Sequence, residues 1–219
     1  CIMIGFPSKP TFGQKNKIMN TEGIELESLD FQRLNWELQM NMDLVLEENL
    51  KLVKKIDTEN LVPLINSIQH LERIFLIAAG RSGFALRGAA MRLMHLGLTV
   101  YFVGDTTTPA IRKDDLLIVA SGSGTTASMV RAAEKAISVG ARVIAITTAP
   151  ESELAKLACH TVLIPAAGKQ DFEGGKSKQY AGSLFEQFLF LLMDAVFQSL
   201  WKMDGTPAEV LWERHANLE

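Results

Sequence analysis

Two rhythms of apolar and polar positions divide the chain. From about residue 34 to 56, Leu38, Met42, Val45, Leu46, Leu50 and Val53 fall at helical spacing, with Asp43, Glu47, Lys51 and Lys54 on the other face. A shorter helix is expected over Thr58–Gln69, with Thr58 as its cap and Pro63 in an early turn. The pattern then changes. Ile74–Ala79, Val100–Val103, Leu116–Ala120, Val143–Thr147 and Val162–Pro165 are short apolar runs rich in β-branched residues, and helical segments near Phe84–Leu96, Thr126–Val139 and Ser152–Cys159 separate most of them. Continuous apolar strands alternating with helices predict an α/β fold, a three-layer αβα sandwich around a five-stranded parallel sheet of flavodoxin or Rossmann-like kind. Extra N- and C-terminal helices complete it, the latter near Ser183–Lys202 and Thr206–His215.

Residues 1–30 read as a leader outside the fold, and 31–219 as one domain with helical extensions. The opening stretch carries Gly5, Pro7, Pro10 and Gly13 and lacks the charged start and apolar run of a signal peptide. Leu184–Trp201 is apolar enough to resemble a membrane span, but Glu186, Gln187, Asp194 and Gln198 interrupt it, which favours a buried core or interface helix.

Charge and cysteine content narrow the partners. A net charge of −3 with no cluster of Lys or Arg argues against nucleic acid and anionic membrane. Cys1 and Cys159 are far apart and the four histidines are scattered, so neither a zinc site nor a disulfide is expected; a reducing, cytoplasmic setting fits.

In doubly wound sheets, ligands sit beyond the carboxyl ends of the strands. Two strand ends here are unusual: the first runs into Gly80-Arg81-Ser82-Gly83, the third into Ser121-Gly122-Ser123-Gly124-Thr125-Thr126. Free amides and the positive dipole at a helix start favour an anion, and glycines allow close approach. One capping residue would explain one or two of the four hydroxyls in the second loop, but not all of them. That surplus predicts a phosphate cradle. The fourth strand ends in Thr147-Thr148, which is also hydroxyl-rich. An NTPase loop would need a lysine that is absent, and Ala78 stands where a dinucleotide fingerprint needs its first glycine.

Glu186 is the candidate for chemistry. It lies in the first turns of the most apolar helix, and a carboxylate in apolar surroundings gains the proton affinity that a general base needs. The competing reading is a capping box, Ser183-x-x-Glu186, in which Glu186 only closes the helix start. Residues alone leave these two even. His215, near the chain end, reads by itself as a helix-end histidine, whereas Arg81 sits in the ligand-facing loop and Arg87 and Arg92 read as surface or interface residues.

Taken together, Ala79-Gly80-Arg81-Ser82-Gly83, Met91-Arg92-Leu93-Met94-His95-Leu96-Gly97, Ser121–Thr126, Gln179–Gln187 and the tail Arg214–Glu219 resemble the sugar isomerase (SIS) domain family, and within it the 6-phospho-3-hexuloisomerase branch. The resemblance spans roughly residues 34–219. It implies isomerisation of a 3-hexulose 6-phosphate to fructose 6-phosphate without metal or organic cofactor. It implies phosphate contacts from Ser82 and Ser121–Thr126, with Glu186 as base. It further implies a homotetramer whose C-terminal tail reaches a neighbouring site, so that His215 acts in trans. Thr125 stands where a glutamate is common in relatives, Tyr180-Ala181 replaces a Pro-Met pair, and the stretch Lys169–Lys178 is unusual. Other phosphosugar isomerases of this fold, for arabinose 5-phosphate or sedoheptulose 7-phosphate, and non-catalytic sugar-phosphate sensors are the alternatives.

Overall fold

The computed structural model describes residues 17–19, 25–169 and 177–218. The chain divides into two compact units, 1–46 and 47–219. In the first, β1 (Lys17–Met19) pairs antiparallel with β2 (Glu25–Glu27), and helix α1 (Ser28–Val53) begins at once. Short strands therefore occupy part of the stretch read as a leader; residues 1–16 and 20–24 lie outside the described residues. Helix α1 starts six residues before the apolar periodicity does. Its exposed turns carry Arg33–Glu37 and Lys51–Glu47 pairs at i,i+4 spacing, which support a helix locally by a few tenths of a kcal/mol each (about 0.3–0.5).

The apolar face read from the sequence of α1 mostly points outward. Leu38, Met42, Leu46, Leu50 and Val53 are exposed, whereas Asn49 and Leu52 are buried. Spacing identified an apolar stripe; it did not say which neighbour the stripe meets.

The second unit holds the sandwich. A 3-10 turn (Glu59–Leu61) leads into α2 (Val62–His70), with Pro63 in the first turn, where its missing N–H is harmless. Asp57 rather than Thr58 caps this entry, its Oδ1 accepting from the Glu59 amide at 3.0 Å. Then follow β3 (Arg73–Ala78), α3 (Gly80–His95), β4 (Thr99–Phe102), β5 (Leu116–Ala120), α4 (Ala127–Ser138), β6 (Arg142–Thr147), α5 (Glu153–Leu157), β7 (His160–Leu163), α6 (Ser183–Asp204) and α7 (Ala208–Trp212). The five-stranded sheet is parallel throughout, in the order β4-β3-β5-β6-β7.

Two cores result, one per face. Leu64, Ile68, Leu86, Leu93, Leu189 and Val196 pack from α2, α3 and α6 on one side; Met129, Ala133 and Leu154 pack from α4 and α5 on the other. Every residue of β3 and of β5 is buried, which is why β5 and β3 from Ile74 onward read as unbroken apolar runs. Helix α6 is long and apolar enough to cross a membrane, yet most of its apolar window is buried in this core. At the other end of the sheet, Arg73 Nε donates to Asp115 Oδ1 at 2.8 Å, and Arg112 N–H also donates to the carboxylate. Burial alone would raise the Asp115 carboxyl, but those donors hold it below the usual range.

Strand order fixes where a ligand can sit. From β3 the chain winds outward to β4, and from β5 it winds the opposite way to β6. The two carboxyl ends between which the winding reverses are those of β3 and β5, and a crevice opens there.

Candidate active site

Both predicted loops meet in that crevice. Gly80 and Ser82 after β3, and Ser121, Gly122, Ser123 and Thr126 after β5, line one pocket together with Lys169, Gly182 and Phe185. Gly124 and Thr125 belong to the same turn but are not among the residues lining it. The first loop is shorter than expected. Helix α3 begins at Gly80, so Arg81 and Ser82 occupy its first turn rather than a loop before it.

The capping alternative for the second loop fails in detail. Thr126 is the N-cap of α4, but its side chain makes no cap hydrogen bond; its hydroxyl lies 3.0 Å from Ser121 Oγ instead. Ser123 Oγ accepts from both the amide and the hydroxyl of Thr125. The loop is held from behind. The Gly122 carbonyl accepts from Thr147 Oγ1 at 3.0 Å, Thr148 Oγ1 at 2.8 Å and the Thr148 amide at 3.0 Å. The Gly124 carbonyl accepts from the Leu154 amide. The hydroxyls ending β6 thus brace the cradle from outside it. Backbone donors at a helix start, several hydroxyls and one lysine suit an oxyanion such as phosphate. Thr147→Val should raise KM for a phosphorylated substrate several-fold and leave kcat almost unchanged, since it loosens the brace and removes no contact at the reacting carbons; steady-state kinetics checks this.

Glu186 is placed by an N-terminus that differs from the capping box. The N-cap of α6 is Gly182, in the left-handed region at φ 81°, and Ser183 is already helical. The stem of Lys169 lies against Gly182, 3.0 Å from where a Cβ would stand. Freed from a capping role, the Glu186 carboxylate is only 9% exposed, and its Oε2 lies 3.3 Å from Arg81 Nη1. Arg81 also donates to Ser183 Oγ at 3.2 Å. Arg81 and Glu186 line a second cavity with Phe84, Ala85, Gln187 and Phe190. Phe185 lines the pocket of the hydroxyl loop and Glu186, the next residue of α6, lines the neighbouring cavity.

His215 lies elsewhere in its own chain. Its ring stacks on His95 at 3.9 Å between centroids, the Trp212 ring lies tilted 4.7 Å from it, and Arg214 Nη1 donates to the His95 carbonyl at 2.7 Å. Burial, with His215 and Arg92 nearby, holds His95 below the usual imidazole range. His95 is the last residue of α3 and Arg81 lies in its first turn, about 21 Å apart at 1.5 Å per residue. The Met91–Gly97 run and the Arg214-His215 start of the tail, two separate motifs in the sequence, meet at His95. Arg87 pairs with Asp105 and lies over Phe102, and Arg92 lies over Phe197, so both serve packing rather than the site.

Sequence reading missed Lys169, whose stretch stood out only as unusual. Among the described residues no group of His, Cys, Asp and Glu is arranged to hold a metal ion.

Comparison with known proteins follows the same outline. The SIS domain model matches residues 67–189. A 3-hexulose-6-phosphate isomerase of Mycobacterium gastri is 56% identical over 82% of this chain and 90% of its own length. Another of that name from Bacillus subtilis is 41% identical over 75% of this chain and 89% of its own. Among solved structures, a Methanococcus jannaschii protein inferred to have the molecular function of 3-hexulose-6-phosphate isomerase is 34% identical, with a TM-score of 0.72 over 82% of this chain and 99% of that one. With a hydroxyl-rich turn at the reversal point of a five-stranded parallel sheet, a buried carboxylate beside it and relatives this similar over most of its length, the chain belongs to the SIS-domain family of sugar isomerases.

Proposed function

We propose that this protein interconverts D-arabino-3-hexulose 6-phosphate and fructose 6-phosphate, with Glu186 as the proton-transferring base. The observation that carries this reading is the adjacency at the start of α6: a buried carboxylate one residue from the side chain that closes the hydroxyl-lined pocket. Moving a ketone from C3 to C2 requires taking the proton from C2, passing through a cis-enediolate and protonating C3. One carboxylate can serve both steps. The phosphate is held by Ser82 and by the 121–126 turn, with Lys169 beside them. Arg81, in contact with Glu186, is the cation that would stabilise the developing enediolate oxygen in this reading.

The molecule works as a cytoplasmic homotetramer in this reading. Support comes from the exposed apolar residues of α1, from Phe84 at 74% exposure beside the Glu186 cavity, and from the cysteine content. Since His215 is docked at the far end of α3 in its own chain, its part in catalysis is to reach a neighbouring subunit's site. A 3-ketose phosphorylated at O6 cannot close a five-membered ring, so an acid that opens the ring serves mainly the reverse direction.

The test is to supply 3-hexulose 6-phosphate and couple fructose 6-phosphate formation to a dehydrogenase, with arabinose 5-phosphate and sedoheptulose 7-phosphate in parallel. Turnover of the hexulose phosphate is expected. Turnover of another phosphosugar alone would overturn the substrate.

A further inference from the structure

Helix α6 is entered through a strap, residues 177–182, that is tied to α1. The carboxylate of Glu48 accepts three hydrogen bonds from this strap: Ser177 Oγ at 2.6 Å and Gln179 Nε2 at 3.0 Å on one oxygen, and the Lys178 amide at 2.8 Å on the other. The chain of contacts continues into the site. Gln179 Oε1 accepts from Gln187 Nε2 at 2.7 Å, and Gln187 Oε1 accepts from Asn49 Nδ2 at 2.8 Å. Gln187 is the residue after Glu186, and the Glu186 amide donates to the carbonyl of Gly182, where the strap ends.

We infer that Glu48 is a positioning residue for the reaction: through Ser177, Gln179 and Gln187 it fixes the strap, and so the first turn of α6, at the angle that aims the Glu186 carboxylate. The inference rests on the reading of Glu186 as base. Three features support it beyond the list of bonds. Two successive residues of α1, Glu48 and Asn49, engage both ends of the relay, so the strap and the helix turn are referenced to one rigid element. Glu48 has only acceptor oxygens and is met only by donors, an arrangement that replacement by glutamine cannot reproduce. Burial alone would raise the Glu48 carboxyl, but the bonds from Lys178, Ser177 and Gln179, with Lys51 nearby, hold it below its ordinary value, so the clamp is ionised throughout the neutral range. Glu48 lies outside residues 67–189, which the family model covers; the domain borrows this anchor from its N-terminal extension.

The test compares the full chain with Glu48→Gln, Gln187→Leu and the double variant, assayed well below their melting temperatures. Misplacing a catalytic group by about 1 Å can lower a rate about 10²-fold. Glu48→Gln is therefore expected to lower kcat at least ~10-fold, with a smaller rise in KM, because the hydroxyl loop takes no part in the relay while Gly182 and Phe185 also line its pocket. The double variant should be no slower than the worse single one, as expected for residues acting through one relay. Glu48→Asp, which keeps the carboxylate, should recover part of kcat. A second readout does not depend on turnover: amide exchange at residues 183–187 should quicken in Glu48→Gln while that at 121–126 stays unchanged. Wild-type kcat in Glu48→Gln, additive losses in the double variant, or unchanged exchange at 183–187 would each overturn the inference. If the wild-type protein fails to convert the hexulose phosphate, the substrate assignment falls, and the exchange arm still decides whether Glu48 positions α6.

Discussion

Glu186→Gln should lower kcat by roughly 10²–10⁴-fold, the usual contribution of a positioned general base, with KM changed by only a few-fold. The substitution keeps the shape of the side chain and removes its ability to carry a proton between C2 and C3. Loss confined to kcat identifies an interaction made in the transition state rather than in binding. Stability offers the control. The ion pair it breaks joins Glu186 to an Arg81 side chain that is 61% exposed, and pairs so open to solvent contribute about 0–1 kcal/mol. The melting temperature should therefore stay within a few degrees (roughly 2–4 °C per kcal/mol for a domain of this size). Near-normal kcat would show that another group moves the proton.

The second large effect concerns Gly124, which does not line the pocket yet sets its shape. Gly124 sits at φ +63°, and a Cβ there would stand 2.0 Å from Ser152 Oγ and 2.4 Å from Ser152 Cβ. Ser152 cannot easily yield, because it is buried and its Oγ caps α5 by accepting from the Ala155 amide. Gly124→Ala thus combines left-handed strain of about 1–3 kcal/mol with overpacking of about 1–3 kcal/mol. A fall in melting temperature of roughly 5–20 °C follows, with a raised KM as the loop is pushed out of register. Adding Ser152→Gly removes both clashing atoms, and glycine is a tolerable N-cap, within a few tenths of a kcal/mol of serine (about 0.2–0.4). The double variant should regain the overpacking part and keep the strain part. Unfolding of Gly124→Ala at the wild-type temperature would sink this account.

The layers of the fold were legible because burial on both faces writes itself into sequence. β5, and β3 after its opening Arg73, are unbroken apolar runs, since helices cover both sides of each. The hydroxyl turn was legible for a related reason: glycines and hydroxyls between a buried strand and a helix have few structural uses. What stayed hidden depended on long-range geometry. Strand order follows from which way each crossover turns, and nothing in residues 103–115 announces the reversal between β4 and β5. The start of α6 stayed undecided from sequence because Ser183-x-x-Glu186 also fits a capping box, while the left-handed Gly182 one residue earlier takes the cap and leaves the carboxylate to Arg81. Where the apolar stripe of α1 points stayed hidden for a different reason. Periodicity reports that a stripe is apolar, and exposure reports that this chain alone does not cover it. Glu48 and Gln187 are 139 positions apart and are joined only by side-chain bonds, which no local pattern encodes.

The brace behind the hydroxyl loop has a consequence for how such a site can change over evolutionary time. Thr147, Thr148 and Leu154 fasten the Gly122 and Gly124 carbonyls from the β6 and α5 side, and none of the three belongs to the Glu186 cavity. Under the proposed function, the brace behind the anionic end of a ligand is thus distinct from the Phe84, Gln187 and Phe190 wall of the Glu186 cavity. Substitutions at Phe84, Gln187 or Phe190 can reshape that wall while the grip stays as it was. A fold built so can exchange one sugar for another without relearning how to hold the handle.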